Sequence, residues 1–348
     1  MSKTNTGNFF EDFGVGQVLA HATPRTLTEG DAALYTALYG NRFALQSADS
    51  FAQDCGLPAA PLDDLLVFHT VFGKTVPDVS LNAVANLGYA DGRFGAPVYP
   101  GDSLSAVSEV IGLKENSNGK TGVVYVRTTG RNQDGEEVLS YVRWVMVHKR
   151  DAASPAPDAV VPDLPAAVDP ADLDRLDAFS GEYFDTGLAG SEYLWEDYEP
   201  GERIDHVDGM TVEEADHMLA TRLYQNTAKV HFDQHAASSS RFGRRLVYGG
   251  HVISLARGLS FNGLANAQRI VGINGGRHVA PIFAGDTVYA WSEVLAKAEV
   301  PGRDDLGALR LRLVAAKNHP CADFPGAESA HEAQVLDFDY WALMPRRV

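Results

Sequence analysis

The pattern of apolar and polar positions divides the chain into two similar halves, each with helices first and strands after. Residues 62–76 carry Leu65, Leu66, Phe68, Val71 and Phe72 in a nearly unbroken apolar run, long enough for a buried helix, and Pro77 ends it. Ahead of it, residues 28–39 set Leu34, Tyr35 and Leu38 on one face of an amphipathic helix. Residues 49–56 read as a short polar helix or turn. From residue 82 the period drops towards two. Segments 82–90, 103–113, 121–130 and 138–148 are strand-like, and Asn118-Gly119 and Asp134-Gly135 supply turns for an antiparallel meander.

The second half runs in the same order. Residues 211–223 predict a helix with Thr211 as its cap, Glu213 and Glu214 in its first turn, and Met218, Leu219 and Leu223 on its apolar face. A long apolar helix over 251–264 follows, opened by Gly249 and Gly250. Strand-like segments then occupy 268–274, 286–298, 307–317 and 333–344, with a Pro- and Gly-containing loop at 318–330.

The correspondence is a repeat in the letters as well. Leu38, Tyr39 and Asn41 match Leu223, Tyr224 and Asn226 at an offset of 185, as Asp31 matches Asp216. The run from Ala96 to Asp102 matches that from Ala280 to Asp286 at an offset of 184. Val138, Leu139 and Trp144 match Val335, Leu336 and Trp341 at 197, which places an insertion of 13 residues in the loops of the second copy. The chain is therefore an α+β duplication: copy 1 over 1–150, copy 2 over 186–348, and a linker over 151–185 that is rich in Pro and Ala and extended, with a short helix expected at 171–179.

Composition and charge narrow the function. With 348 residues, 45% hydrophobic, there is ample core for two domains. A net charge of −17 argues against nucleic acid as partner, because phosphate contacts need clustered Lys and Arg. Two cysteines, Cys55 and Cys321, suit a reducing cytoplasm and give neither a disulfide framework nor a metal site. Secretory and membrane-spanning segments are not expected. The sequence holds no dinucleotide, P-loop or metal motif, so no redox cofactor or metal is implied.

The candidate chemistry lies between Tyr224 and Asp233. Asn226, His231 and Asp233 stand on an irregular stretch just after a helix, where a base and an orienting partner can converge. Copy 1 keeps the scaffold of this stretch and drops its titratable groups: Gln46 replaces His231 and Ala48 replaces Asp233. Packing would not single out those two residues; chemistry would. Asp216 is retained as Asp31 and reads as scaffold. The amides of Gly249 and Gly250 open a helix and can form an oxyanion hole. Arg241, Arg244 and Arg245 lie between these two features, either as a solvated turn or as an anion site.

These residues carry a resemblance. The P-x-x-x-G-D runs ending at Asp102 and Asp286, with a polar stretch ending in His before the apolar helix, resemble the MaoC-like hydratase family of hotdog folds. The resemblance covers nearly the whole chain outside 151–185. It implies a tandem (double) hotdog, each copy a long central helix wrapped by an antiparallel sheet. Where the family has D-x-N-P-x-H-x-D, this chain has Asn226, Ala228, Lys229, His231 and Asp233. Asparagine cannot take a proton, so either His231 is sole base and acid or a carboxylate, Asp233 or Asp216, stands in. The implied activity is reversible hydration of an enoyl-CoA thioester, with mesaconyl-CoA expected as substrate and β-methylmalyl-CoA as product. Alternatives are an (R)-specific hydratase of fatty enoyl chains, a thioesterase on the same fold, and a non-catalytic acyl-CoA-binding protein. Coenzyme A would be part of the substrate, with no separate cofactor. Arg241, Arg244 and Arg245 would bind its phosphates or the substrate carboxylate, in a homo-oligomer with a dimer favoured.

Overall fold

The computed structural model describes residues 3–347. Copy 1 runs β1 (Val18–Thr26), α1 (Glu29–Tyr39), α2 (Asp64–Thr75), β2 (Ala83–Phe94), β3 (Ser103–Glu115), β4 (Thr121–Arg131) and β5 (Glu137–His148). Copy 2 repeats it as β6 (Arg203–Thr211), α3 (Glu214–Leu223), α4 (Gly249–Leu259), β7 (Arg269–His278), β8 (Thr287–Glu299), β9 (Leu306–Lys317) and β10 (Gln334–Pro345). All ten strands form one sheet in the order β1-β3-β4-β5-β2-β7-β10-β9-β8-β6, which reads the same from either end once the copies are exchanged. The joint is the antiparallel pair β2 and β7, where Tyr89 faces Gly276 and Arg93 faces Gly272.

The expected α+β double hotdog is thus the fold, with three local corrections. Each copy has a fifth strand at its start, β1 and β6, where no strand is expected. Thr211 is consequently the last residue of β6, bonded through its hydroxyl to Thr287 at 2.8 Å, and it does not cap α3. The helix expected at 171–179 is only the turn Pro170–Asp172; Leu176 lies at φ 49°, outside helical space. The linker does more than span a gap: Val168, Leu173, Leu176 and Phe179 are buried against Val271, Trp341 and Leu343 of the sheet.

One apolar core runs through both copies. Every residue of α2 is buried, as is α4 from Gly250 onward. The copies interlock through matched close approaches. A Cβ on Gly73 of α2 would stand 1.8 Å from the Tyr224 carbonyl oxygen, and one on Gly258 of α4 would stand 2.5 Å from that of Tyr39. No side chain fits at either crossing. Between them the Tyr224 hydroxyl donates to that of Tyr39 at 2.8 Å, and His69 bonds Ser254 at 3.2 Å. Among the described residues no helix is long and apolar enough to cross a membrane.

Candidate active site

The candidate stretch begins where α3 ends. Gln225 adopts φ 52°, the left-handed turn that Gly40 makes in copy 1, and it throws the chain away from the helix axis. Asn226 follows, buried, with its side-chain oxygen accepting from the Ala228 amide at 2.9 Å. That bond shapes the turn that delivers His231, and it leaves the Asn226 side-chain NH2 group as a donor only. The short 3₁₀ turn Lys229–His231 then presents the imidazole.

His231 is held by a two-bond latch. The Leu246 amide donates to the Val230 carbonyl at 3.0 Å, and His231 Nδ1 donates to the Leu246 carbonyl at 2.9 Å. Because a carbonyl can only accept, the proton sits on Nδ1 and the lone pair is on Nε2. Burial lowers the pKa of His231 to about 4; the Leu246 bond opposes that shift and His217 adds to it. At neutral pH the ring is an uncharged base.

His231 borders a cavity of about 320 Å³ at the joint of the two copies. Asn226, Tyr248, Gly249, His278, Arg143 and Arg241 also border it, among apolar neighbours such as Phe72, Val252 and Ile282. Among the described residues no Asp or Glu does so. In a chain of net charge −17, this cavity carries two arginines and two histidines and no carboxylate.

Gly249 and Gly250 are the first two residues of α4, so their amides have no partner within the helix. Gly249 borders the cavity, and a Cβ there would stand 2.3 Å from Cε1 of His278. Gly250 lies deeper, against the rings of His69 and Tyr248. Both glycines are therefore required by close approach.

The remaining sequence candidates separate. Asp233 does not border the cavity; it caps the short helix Gln234–Ala237, accepting from the Ala236 amide at 2.9 Å. Asp216 is also away from it. Arg245 is paired with Glu214 and touches the Met218 sulfur at 3.2 Å, and Arg244 donates to the Ala284 carbonyl. Of the three arginines only Arg241 reaches the cavity, exposed at its mouth and stacked on Phe242 at 4.4 Å. Sequence reasoning missed His278 and Arg143. His278 ends β7, is hydrogen-bonded through Nε2 to the Tyr89 hydroxyl at 3.4 Å, and has its pKa lowered to about 4 by burial and by His231. Neither belongs to a motif; each reaches the cavity only through the joint.

The corresponding positions of copy 1 carry different groups. Asp64 occupies the position of Gly249, and its carboxylate is taken up by Gln46 at 3.0 Å and by Arg269 at 3.1 Å. Asn41 and Gln46 spend their NH2 groups on Asp63 and Asp64, beside a second cavity of about 470 Å³ that they border.

Comparison with known proteins agrees with this architecture. The chain is 66% identical to a β-methylmalyl-CoA dehydratase of Chloroflexus aurantiacus, over 99% of each protein. It is 62% identical to a mesaconyl-CoA hydratase of Cereibacter sphaeroides, over 99% of this chain and 100% of that one. A MaoC domain dehydratase from Chloroflexus aurantiacus superposes with TM-score 0.97 at 65% identity, covering 100% of both chains. A Mycobacterium tuberculosis protein with a double hotdog fold superposes with TM-score 0.80 at 28% identity, covering 98% of this chain and 99% of that one. The family model described as mesaconyl-CoA hydratase matches residues 1–333, and the chain belongs to that family.

Proposed function

We propose that the cavity is the active site of a hydro-lyase that reversibly hydrates mesaconyl-CoA to β-methylmalyl-CoA. The observation that carries this reading is a neutral imidazole with a free Nε2, next to the first amides of a helix, in a cavity with no carboxylate. Water has to be deprotonated as its oxygen adds to the β carbon. The π electrons then move onto the thioester oxygen, and a proton must reach the α carbon. His231 takes the water proton on Nε2 and returns it to the α carbon, so the ring ends as it began. The Gly249 amide, which borders the cavity, stabilises the enolate oxygen, and Gly250 lets the helix start pack closely behind it. The Asn226 NH2 group donates to the water and fixes its position. Asp233 holds the fold of the loop and takes no proton. Arg241, at the mouth, meets the phosphates of coenzyme A, while Arg244 and Arg245 brace the loop.

No resident cofactor or metal enters these proton transfers; coenzyme A arrives as part of the substrate. We also carry forward a homodimer in a reducing cytoplasm, a compartment that suits the free, buried thiols Cys55 and Cys321. The test is loss of enoyl absorbance with mesaconyl-CoA and crotonyl-CoA side by side, together with an assay for free thiol. Preferred hydration of mesaconyl-CoA without thiol release is expected. Faster turnover of crotonyl-CoA would point to a fatty-chain hydratase, and thiol release to a thioesterase.

A further inference from the structure

Copy 1 contributes a charge that the protein itself does not neutralise. Arg143, on β5, is 0% exposed and borders the same cavity as His231. Its Nη2 donates to Thr75 at 2.7 Å and to Ser80 at 3.4 Å, and its guanidinium lies over the Phe72 ring at 4.2 Å. Its Nε and Nη1 are buried with no hydrogen-bond partner, and among the described residues no carboxylate pairs with it. Both side-chain polar atoms of Asn86, on the neighbouring strand β2 and bordering the same cavity, are buried and unpartnered as well. A guanidinium stays charged at any ordinary pH, and an unpaired buried charge is strongly destabilising. A site that keeps one is set up for an anion that comes and goes.

We propose that Arg143 binds the free carboxylate of the substrate, with Asn86 as a second donor, so that the two copies divide the work of one site. The substrate of the proposed reaction carries a carboxylate on the carbon that water attacks, and this inference rests on that reading. That negative charge repels the incoming oxygen unless a cation holds it. The unpartnered Nε and Nη1 lie on different edges of the guanidinium, so one of them takes a carboxylate oxygen and the Asn86 NH2 group donates to the other, which also fixes the face of the double bond turned to His231. Contacts connect the two ends: Tyr248 packs on His231 with ring centroids 5.5 Å apart and on Phe72 at 5.8 Å, and Phe72 carries Arg143. The repeat gives independent support. At the offset of 197 that relates Trp144 to Trp341, Arg143 corresponds to Tyr340. The unused site thus lacks both the base (Gln46 for His231) and the cation (Tyr340 for Arg143), while the live site has both.

The test compares wild type, Arg143→Met, Arg143→Gln and Arg241→Met on mesaconyl-CoA and on 2-methylcrotonyl-CoA, in which a methyl group replaces the carboxylate. Arg143→Met should lower kcat/KM for mesaconyl-CoA by about 10²-fold or more, while turnover of the methyl analogue is kept or raised. Its melting temperature without ligand should hold or rise, since an uncompensated buried charge is gone. Arg241→Met should lower kcat/KM for both substrates in proportion, through KM. A folded Arg143→Met with an unchanged substrate ratio overturns the proposal. So does a lowered melting temperature with equal losses on both substrates, which marks a structural arginine. If the Met variant does not fold, Arg143→Gln, which can still bond Thr75 and Ser80, is judged by the same ratio; failure of both to fold also overturns it. A wild type that prefers the methyl analogue sinks the substrate reading instead, whatever Arg143 does.

Discussion

Replacing His231 with glutamine puts into copy 2 the residue that copy 1 carries as Gln46. The fold should tolerate it. The latch loses one side-chain hydrogen bond at most, to the Leu246 carbonyl, and the glutamine NH2 group can restore it, so the stability change is about 1 kcal/mol or less. The chemistry should not survive. A general base contributes about 10²–10⁴-fold, or roughly 3–5 kcal/mol of barrier at 1.36 kcal/mol per decade. The assay is steady-state loss of enoyl absorbance with mesaconyl-CoA, read as kcat and KM across pH. The acid limb of kcat/KM reports the free enzyme. Here the His231 pKa is lowered to about 4, so activity should stay flat well below the ordinary imidazole range and fall only towards pH 4. His278 titrates nearby, so the apparent value belongs to the pair. The acid limb of kcat should lie higher, because an anionic substrate favours the imidazolium. Turnover of His231→Gln within a few-fold of wild type, or an acid limb at about 6.5 in kcat/KM, would refute the reasoning.

Three further outcomes separate the roles of neighbouring residues. Asp233→Ala should cost about 1 kcal/mol through loss of the cap on Gln234–Ala237, measurable as a lower melting temperature, and Asp233→Asn should restore most of it with kcat within about tenfold of wild type. If Asp233→Asn is as inactive as His231→Gln, the aspartate carries a proton after all. Gly249→Ala should lower kcat at least about tenfold, because the added methyl occupies the space of the His278 ring, 2.3 Å away, and fills the approach to its amide; normal kinetics would remove this amide from the mechanism. Residues 186–348 expressed alone should be insoluble or inactive, since the cut exposes β7 and the core face of α4; a soluble, active fragment would contradict the interlocked core.

The fold was legible where the hydrophobic pattern is strong. The buried helix α2 and the strands β3 to β5 announce themselves through unbroken or alternating apolar runs. The two edge strands do not. Of the nine residues of β1 only His21 is buried, and Pro24 lies within it, so no alternation marks it; β6 likewise buries only His206. The helix predicted over 251–264 stops at Leu259 because Asn262 and Gly263 leave helical space. His231 was legible because the repeat supplied an internal control. Asp233 was ambiguous, since an aspartate before a short polar run is a cap signal as well as a candidate acid. Arg143 and His278 were invisible for a physical reason. Strand residues reach a site through register with other strands, and the pairing of β2 with β7 has no signature in either segment alone.

On the proposed reading, that pairing also explains why copy 1 is kept without a base of its own. Had each copy held a complete site, losing the base in copy 1 would have left it as dead weight, free to drift or be lost. The cavity instead lies across the joint. Tyr89 and Arg143 come from copy 1, His231, Gly249 and His278 from copy 2, and Tyr89 bonds directly to His278. A change that removes chemistry from copy 1 therefore stays harmless only while β2 and β5 hold their register, because that register positions the anion-binding side of the live site. In copy 1 the residue at the position of Gly249 serves structure: Asp64 ties α2 to Arg269 at the start of β7. A buried pair of that kind fixes geometry more than it adds stability. The geometry it fixes is the seam on which the working cavity depends.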